Sequence, residues 1–163
     1  MKRRATFDSS FWAHEVYLNL VEFLRADFEL VCTEAVAKEL GRDNPTSVRL
    51  DVLLADGSIK QAAAKSEKIK LYGDGERAAI NLASEGRLLS LIDDWRPYEA
   101  AQEAGVQVVN SLAYLIGLYE QKRITLERVL NALVRITRRG TLRPEWIQSA
   151  VRIISGIRRK EGN

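Results

Sequence analysis

Short apolar runs that stop abruptly at acids alternate with stretches of helical period along the first two thirds of the chain. Ala5-Thr6-Phe7 ends at Asp8, and the run from Leu88 to Ile92 ends at Asp93-Asp94. Both read as short strands, the second as the central one because it is the most apolar. From Ser9 to about Ala26 the positions Phe11, Trp12, Val16, Leu20, Phe23 and Leu24 keep helical spacing, with Ser9 or Ser10 as N-cap. Residues 28–32 form a β-like run, after which Thr33 caps a short helix that stops at Leu40-Gly41. Pro45 and Thr46 introduce residues 47–55, whose period does not separate a helix from one arm of a hairpin turning at Asp56-Gly57. The apolar positions there do not alternate strictly, which favours the helix and leaves 58–62 as a short edge strand. A polar linker, 65–70, precedes a helix over 73–84 with a small-residue face of Ala78, Ala79, Leu82 and Ala83. A helix over 95–104, a strand over 106–109 and three helices over 111–121, 125–139 and 144–158 complete the order. Pro144 suits a first helical turn, and Gly140 separates the last two helices.

This order predicts a three-layer α/β/α sandwich around a central, mostly parallel sheet. Its domain would span 1–120, with a helical extension, 121–163, packed on the same domain. The length of 163 residues, with 46% hydrophobic and 29% charged residues, suits one ordinary globular domain. Met1-Lys2-Arg3-Arg4 resembles the start of a signal peptide, but Asp8 interrupts it, and no window approaches the roughly 18 apolar residues of a spanning helix. The expectation is a cytoplasmic protein without a membrane partner. One cysteine, Cys32, and one histidine, His14, exclude a Cys/His zinc site within the chain. His14 lies among helix-core residues and reads as a side-of-helix histidine with no catalytic task. Hydrolytic chemistry would then fall to carboxylates and metal.

Charge is unevenly placed. Residues 121–163 carry eleven Lys/Arg and three Glu, net +8, leaving fourteen basic and nineteen acidic residues before them, net −5. A metal site facing a polyanion would produce that asymmetry, as would solvated basic helices pairing with an acidic body.

Four acids stand out, each with a plain alternative. Asp8 and Asp94 can cap the helices that follow them. Glu76 lies in a first turn, where acids favour the helix dipole, and Glu39 can be a solvated helix residue, with Glu34 and Glu15 competing for its role. Together they gain weight, because the strand before Asp8 and the strand before Asp93 can be neighbours in a parallel sheet. Acids gathered at such an edge repel one another unless a cation sits among them, and hard oxygen ligands suit magnesium or manganese.

Phe7-Asp8-Ser9-Ser10, the stretch Cys32 to Leu40, the stretch Gly75 to Ala83, and Leu91-Ile92-Asp93-Asp94 resemble the PIN domain family. The similarity is ordered and covers roughly residues 5–120; it is closest to a PIN-like subgroup with Gly-Glu-x-x-Ala-Ile-x-Leu-Ala followed by a strand-end Asp-Asp. The resemblance implies a Mg2+- or Mn2+-dependent ribonuclease, many relatives being toxins of toxin–antitoxin pairs. By position it implies Asp8, Glu39, Glu76 and Asp94 as catalytic acids and Asp8, Glu76, Asp93 and Asp94 as metal ligands. Ser9, Ser111, Arg138 and Arg139 are candidates for nucleic-acid contact. Implied partners are RNA, an antitoxin protein and a second copy of the chain. Two positions depart from the family pattern: Glu76 stands where Asp is usual, and Asn110-Ser111 where the subgroup more often has Gly-Thr. A PIN-like module that binds nucleic acid or protein without cleaving is the alternative. A receiver-like domain is disfavoured, since no lysine follows residues 106–109.

Overall fold

A computed structural model describes residues 1–70 and 73–161. Asp8 follows β1 (Arg3–Phe7) and adopts an extended backbone before α1 (Ser9–Tyr17), so the N-cap is Asp8, not Ser9 or Ser10. The single helix expected over 9–26 is two, α1 and α2 (Val21–Asp27). Apolar period runs through the break, but Asn19 takes a left-handed φ of 57°. The amides of Asn19 and Leu20 turn back onto the carbonyls of Val16 and Glu15, at 3.2 and 2.9 Å, closing α1 in a Schellman stop.

β2 (Phe28–Cys32) and α3 (Glu34–Glu39) follow, with the Thr33 hydroxyl accepting the Val36 amide as cap. The ambiguous stretch is helical: α4 (Pro45–Ala55) has Pro in its first turn, and Asn44 and Ser47 form a reciprocal capping box. Then come β3 (Lys60–Gln61), α5 (Asp74–Gly86), β4 (Leu89–Leu91), α6 (Trp95–Glu103) and β5 (Val108–Val109).

The sheet order is β3-β2-β1-β4-β5, and all four pairings are parallel, with Ala5 opposite both Leu30 and Leu89 and Phe7 opposite Leu91. The centre is therefore β1, with β4 beside it, a correction to the expectation that residues 88–92 hold the centre. The chain moves outward from β1 through β2 to β3, then returns past β1 to β4 and β5. Right-handed crossovers consequently place α1–α4 on one face and α5 and α6 on the other. The direction reverses between β1 and β4, which makes their carboxyl ends the switch point where open α/β sheets bear their sites.

Val31, Ile80, Leu82, Ala83, Leu88, Ile92, Ala101 and Val106 form one buried cluster, and the linker's Ile69 packs against it. Phe7 stacks on Trp12 with ring centroids 5.0 Å apart, and the Trp12 indole donates to the Thr46 carbonyl at 3.0 Å, tying α1 to α4. Burial of such side chains is worth about 1.5–3 kcal/mol each. They anchor α1 against the end of β1.

The chain forms two compact units, Met1–Val109 and Asn110–Asn163. The second contains α7 (Ser111–Glu120), α8 (Leu126–Arg139) and α9 (Pro144–Glu161). α8 buries Val129, Ala132, Leu133 and Ile136 along one stripe and ends at Gly140, whose φ of 67° suits a residue without a side chain. Among the described residues no helix is long and apolar enough to cross a membrane.

Candidate functional site

The carboxyl ends of β1 and β4 are followed by acids. Asp8 continues the sheet, its amide donating to the Leu91 carbonyl at 3.0 Å. Its Oδ1 accepts the Phe11 amide at 2.7 Å, which caps α1, and its Oδ2 receives the Asp93 amide at 3.4 Å. Asp8 is wholly buried, and that burial pushes its carboxyl well above the usual range; the charge of Asp93 adds to this, the Phe11 amide opposes it, and Asp94 and Glu76 raise it further.

The two acids after β4 part company. Asp93 is buried with His14, and Asp93 Oδ2 lies 2.5 Å from His14 Nδ1. Asp94 occupies the N-cap position of α6 without bonding its amides; instead its Oδ2 accepts the Ser10 hydroxyl at 2.7 Å. Ser10 and His14 are one helical turn apart, so α1 offers both to the end of β4. His14, read from the sequence as a side-of-helix histidine with no catalytic task, is buried and partnered by Asp93.

Glu39, the last residue of α3, has both oxygens engaged: Oε1 accepts the Gly75 amide at 2.6 Å and Oε2 the Ser9 hydroxyl at 2.9 Å. A β-carbon on Gly75 would lie 2.1 Å from Glu39 Oε2, so this close approach requires glycine. At Gly73 a β-carbon would meet Glu76 Oε2 at 1.5 Å. Glu76 is half-buried in the first turn of α5, and its Oε2 has no hydrogen-bond partner among the described residues. Burial raises its carboxyl above the ordinary range, its own amide opposes this, and the charges of Glu39, Asp94 and Asp74 add to the rise.

The first unit thus brings together Asp8, Ser9, Glu39, Glu76, Asp93 and Asp94. Ser111, Arg138 and Arg139 belong to the second unit, Ser111 buried at the start of α7 and the two arginines exposed in the last turn of α8. Of the competitors for the role of Glu39, Glu34 is exposed and pairs with Lys38 at 2.8 Å, while Glu15 is buried on α1. Cys32 is buried, and that burial pushes its thiol up to about 12, which removes it as a nucleophile.

A family model for the PIN domain matches residues 10–154. The chain belongs to the PIN domain family. Members commonly act as metal-dependent nucleases and generally use divalent cations. The matched span of this PIN domain begins just after Asp8 and Ser9 and contains Glu39, Glu76, Asp93 and Asp94. Among solved structures, it is similar to a PilT N-terminus domain protein from the hyperthermophilic archaeon Sulfolobus solfataricus P2. That match has 19% identity and a TM-score of 0.48, covering 65% of this chain and 85% of the other. No curated protein matches the chain.

The donors of this PIN domain are hard carboxylate oxygens, the chemistry that magnesium and manganese prefer. The partnerless Glu76 oxygen and the raised carboxyl of Asp8 mark negative charge that the protein leaves uncompensated. Among the described residues, however, no three His, Cys, Asp or Glu side chains are gathered so that they could hold one ion. Asp93 is engaged by His14 and Glu39 through both oxygens, whereas Asp94 is engaged through Oδ2 alone. The residues therefore fit an ion held directly by one or two carboxylates, with water completing its shell, which is the usual habit of magnesium.

Proposed function

We propose that this PIN domain is a divalent-metal-dependent ribonuclease that hydrolyses RNA phosphodiester bonds through the carboxylates between β1 and β4. The observation that carries the reading is Asp8: a wholly buried carboxylate at a sheet switch point, with the charges of Asp93, Asp94 and Glu76 all acting on it. Asp8 and Asp94 would hold Mg2+ or Mn2+, with Glu76 beside them. The chemistry supplied on binding is neutralisation of phosphate charge and acidification of an attacking water. Glu76, whose carboxyl burial raises, would ligate through water or orient the attacking water. Glu39 acts through position, joining α3 to the first turn of α5 and to Ser9. Asp93, paired with His14, supports β4's end from inside. A role as the toxin of a toxin–antitoxin pair rests on the family resemblance alone, as do an antitoxin partner and a second copy of the chain; a cytoplasmic setting rests on the sequence, in which Asp8 interrupts the signal-like start and no window is apolar enough to span a membrane.

A second reading has an observation of its own. Because Glu39, Asp93 and Asp94 already have protein partners, the cluster also suits a PIN domain that binds nucleic acid or protein without cutting. Cleavage of single-stranded RNA, measured with magnesium, with EDTA and with Asp94→Asn, separates the two. The nuclease reading expects a loss of about 10²–10³-fold in the last two conditions, the scale of removing a group that stabilises transition-state charge. Equal turnover in all three conditions removes it.

A further inference from the structure

Tryptophan normally hides its large ring, and the three in this chain do so unequally. Trp12 is wholly buried and Trp146 half-buried, whereas Trp95 keeps 37% of its surface exposed. Burial of an aromatic ring is among the larger contributions one side chain makes to folding, so exposure of this one forgoes stability. Its position is also particular. Trp95 directly follows Asp94 and opens α6, so their α-carbons lie about 3.8 Å apart across one peptide bond. Pro97, in the same first turn, fixes its own φ and stiffens the backbone that carries the ring.

Arg96 stands beside it. Its side chain is exposed and makes no ion pair or hydrogen bond among the described residues. Helix electrostatics do not explain it: the amino end of a helix carries partial positive charge, which a cation aggravates, and the first turn of α6 contains no acid. Asp94, at the cap, gives its Oδ2 to Ser10, and Glu99, three positions along, does not pair with the arginine. An exposed ring and an unpaired cation thus occupy consecutive positions immediately after an acid of the carboxylate cluster. A ligand that joins a flat ring to an anionic group would engage both.

We propose that Trp95 and Arg96 form a nucleotide subsite next to the scissile bond, where an unpaired base of single-stranded RNA stacks on the Trp95 ring and Arg96 meets the adjoining phosphate. Every base has a π-face, so such a subsite accepts any base but requires it to be unpaired. A guanidinium suits the phosphate because its planar fork can meet two oxygens at once. The identity of the ligand as RNA, and the scissile bond beside it, rest on the ribonuclease reading; the juxtaposition of ring and cation rests on α6 alone.

Anisotropy of a short labelled single-stranded RNA in EDTA reads binding without cleavage. Trp95→Leu keeps an apolar side chain for the packed part of the residue and removes the ring. It should weaken binding about tenfold, the scale of one base stacked on an aromatic, and leave the salt dependence unchanged. Arg96→Gln should lower the slope of log K against log salt by about 0.7, one phosphate contact on a single strand. Arg87→Gln removes the same charge at the carboxyl end of α5 and should change that slope much less. When each nucleotide in turn is made abasic, one position should weaken binding to the parent, and there Trp95→Leu should cost nothing further. Unchanged affinity in Trp95→Leu, the same further loss on every abasic strand, or equal slopes for Arg96→Gln and Arg87→Gln would overturn the proposal. So would an RNA duplex as sensitive to Trp95→Leu as the single strand. Should Trp95→Leu melt early, Trp95→Phe keeps a ring for stacking: RNA should still bind it, while most of the quenching of tryptophan emission seen in the parent disappears. Stacking without magnesium-dependent cleavage would retain this subsite and remove the nuclease reading. Cleavage with unaltered binding in Trp95→Leu would do the reverse.

Discussion

Gly75 lacks a side chain where the Glu39 carboxylate needs the space, and that clash is a functional constraint before it is a structural one. Gly75→Ala adds an atom against the far end of a flexible side chain, which can swing aside. Alanine also favours a helix over glycine, by up to about 1 kcal/mol. Melting temperature should therefore hold or rise, while RNA cleavage falls about 10²-fold because Glu39 is displaced from Gly75 and Ser9. Loss of stability with retained turnover would contradict this placement. Asp8 gives a second prediction. Its carboxyl is raised in the folded state, so the folded protein binds more protons than the unfolded chain between about pH 4 and that raised value. Its contribution to stability is complete below the unfolded value and is lost as pH rises through the folded one. Asp8→Asn keeps a capping oxygen and removes the charge. In EDTA it should melt above the parent at pH 7, with the gap closing as pH falls toward 4; a gap independent of pH would refute it.

At the scale of elements, α5 does more than carry Glu76. Asn81 on its buried side accepts the amides of Lys68 and Ile69, each at 2.9 Å, and donates to the carbonyls of Ile69 and Arg77 at 2.8 and 2.9 Å. It fastens the linker before α5 to the helix that positions Gly75 and Glu76. Asn81→Leu leaves those backbone groups without partners and should cost about 2–4 kcal/mol, read as a lower urea midpoint. An unchanged midpoint would show that the linker adds nothing to α5. The boundaries of α5 could be read from its small-residue face, whereas its grip on the linker could not, since one Asn in a helix ordinarily signals nothing. The break between α1 and α2 was hidden for the opposite reason: Leu18 and Leu20 continue the apolar period, and only the backbone of Asn19 departs from it.

For the whole molecule, the two units carry opposite charge. Residues 1–109 have fourteen basic and eighteen acidic side chains, net −4, and residues 110–163 have eleven and four, net +7. A cation bound in the first unit would be linked to the folding of that unit, because the unfolded chain does not gather Asp8, Glu76 and Asp94. At a hundredfold excess over its dissociation constant it should add about 2.7 kcal/mol. For a chain of this length that corresponds to a rise of about 5–10 °C in Tm. Asp94→Asn should abolish most of the rise. A melting curve indifferent to saturating Mg2+ and Mn2+ would remove the ion from the proposal, whatever the RNA assay shows.

The alternation of strands and helices, the acids at the ends of β1 and β4, the amphipathic stripe of α8 and the charge imbalance all follow from residue order, because each depends on near neighbours. What each acid does depends on elements far apart in the chain. Asp93 and Asp94 follow one strand side by side, yet one reaches His14 and the other Ser10, two residues a helical turn apart on α1. That α1 meets the end of β4 is set by the crossover from β1 and the register with β4. The contact of Glu39 with Gly75 likewise exists only because α3 and α5 meet, and a sequence separation of 36 leaves no local signal of it.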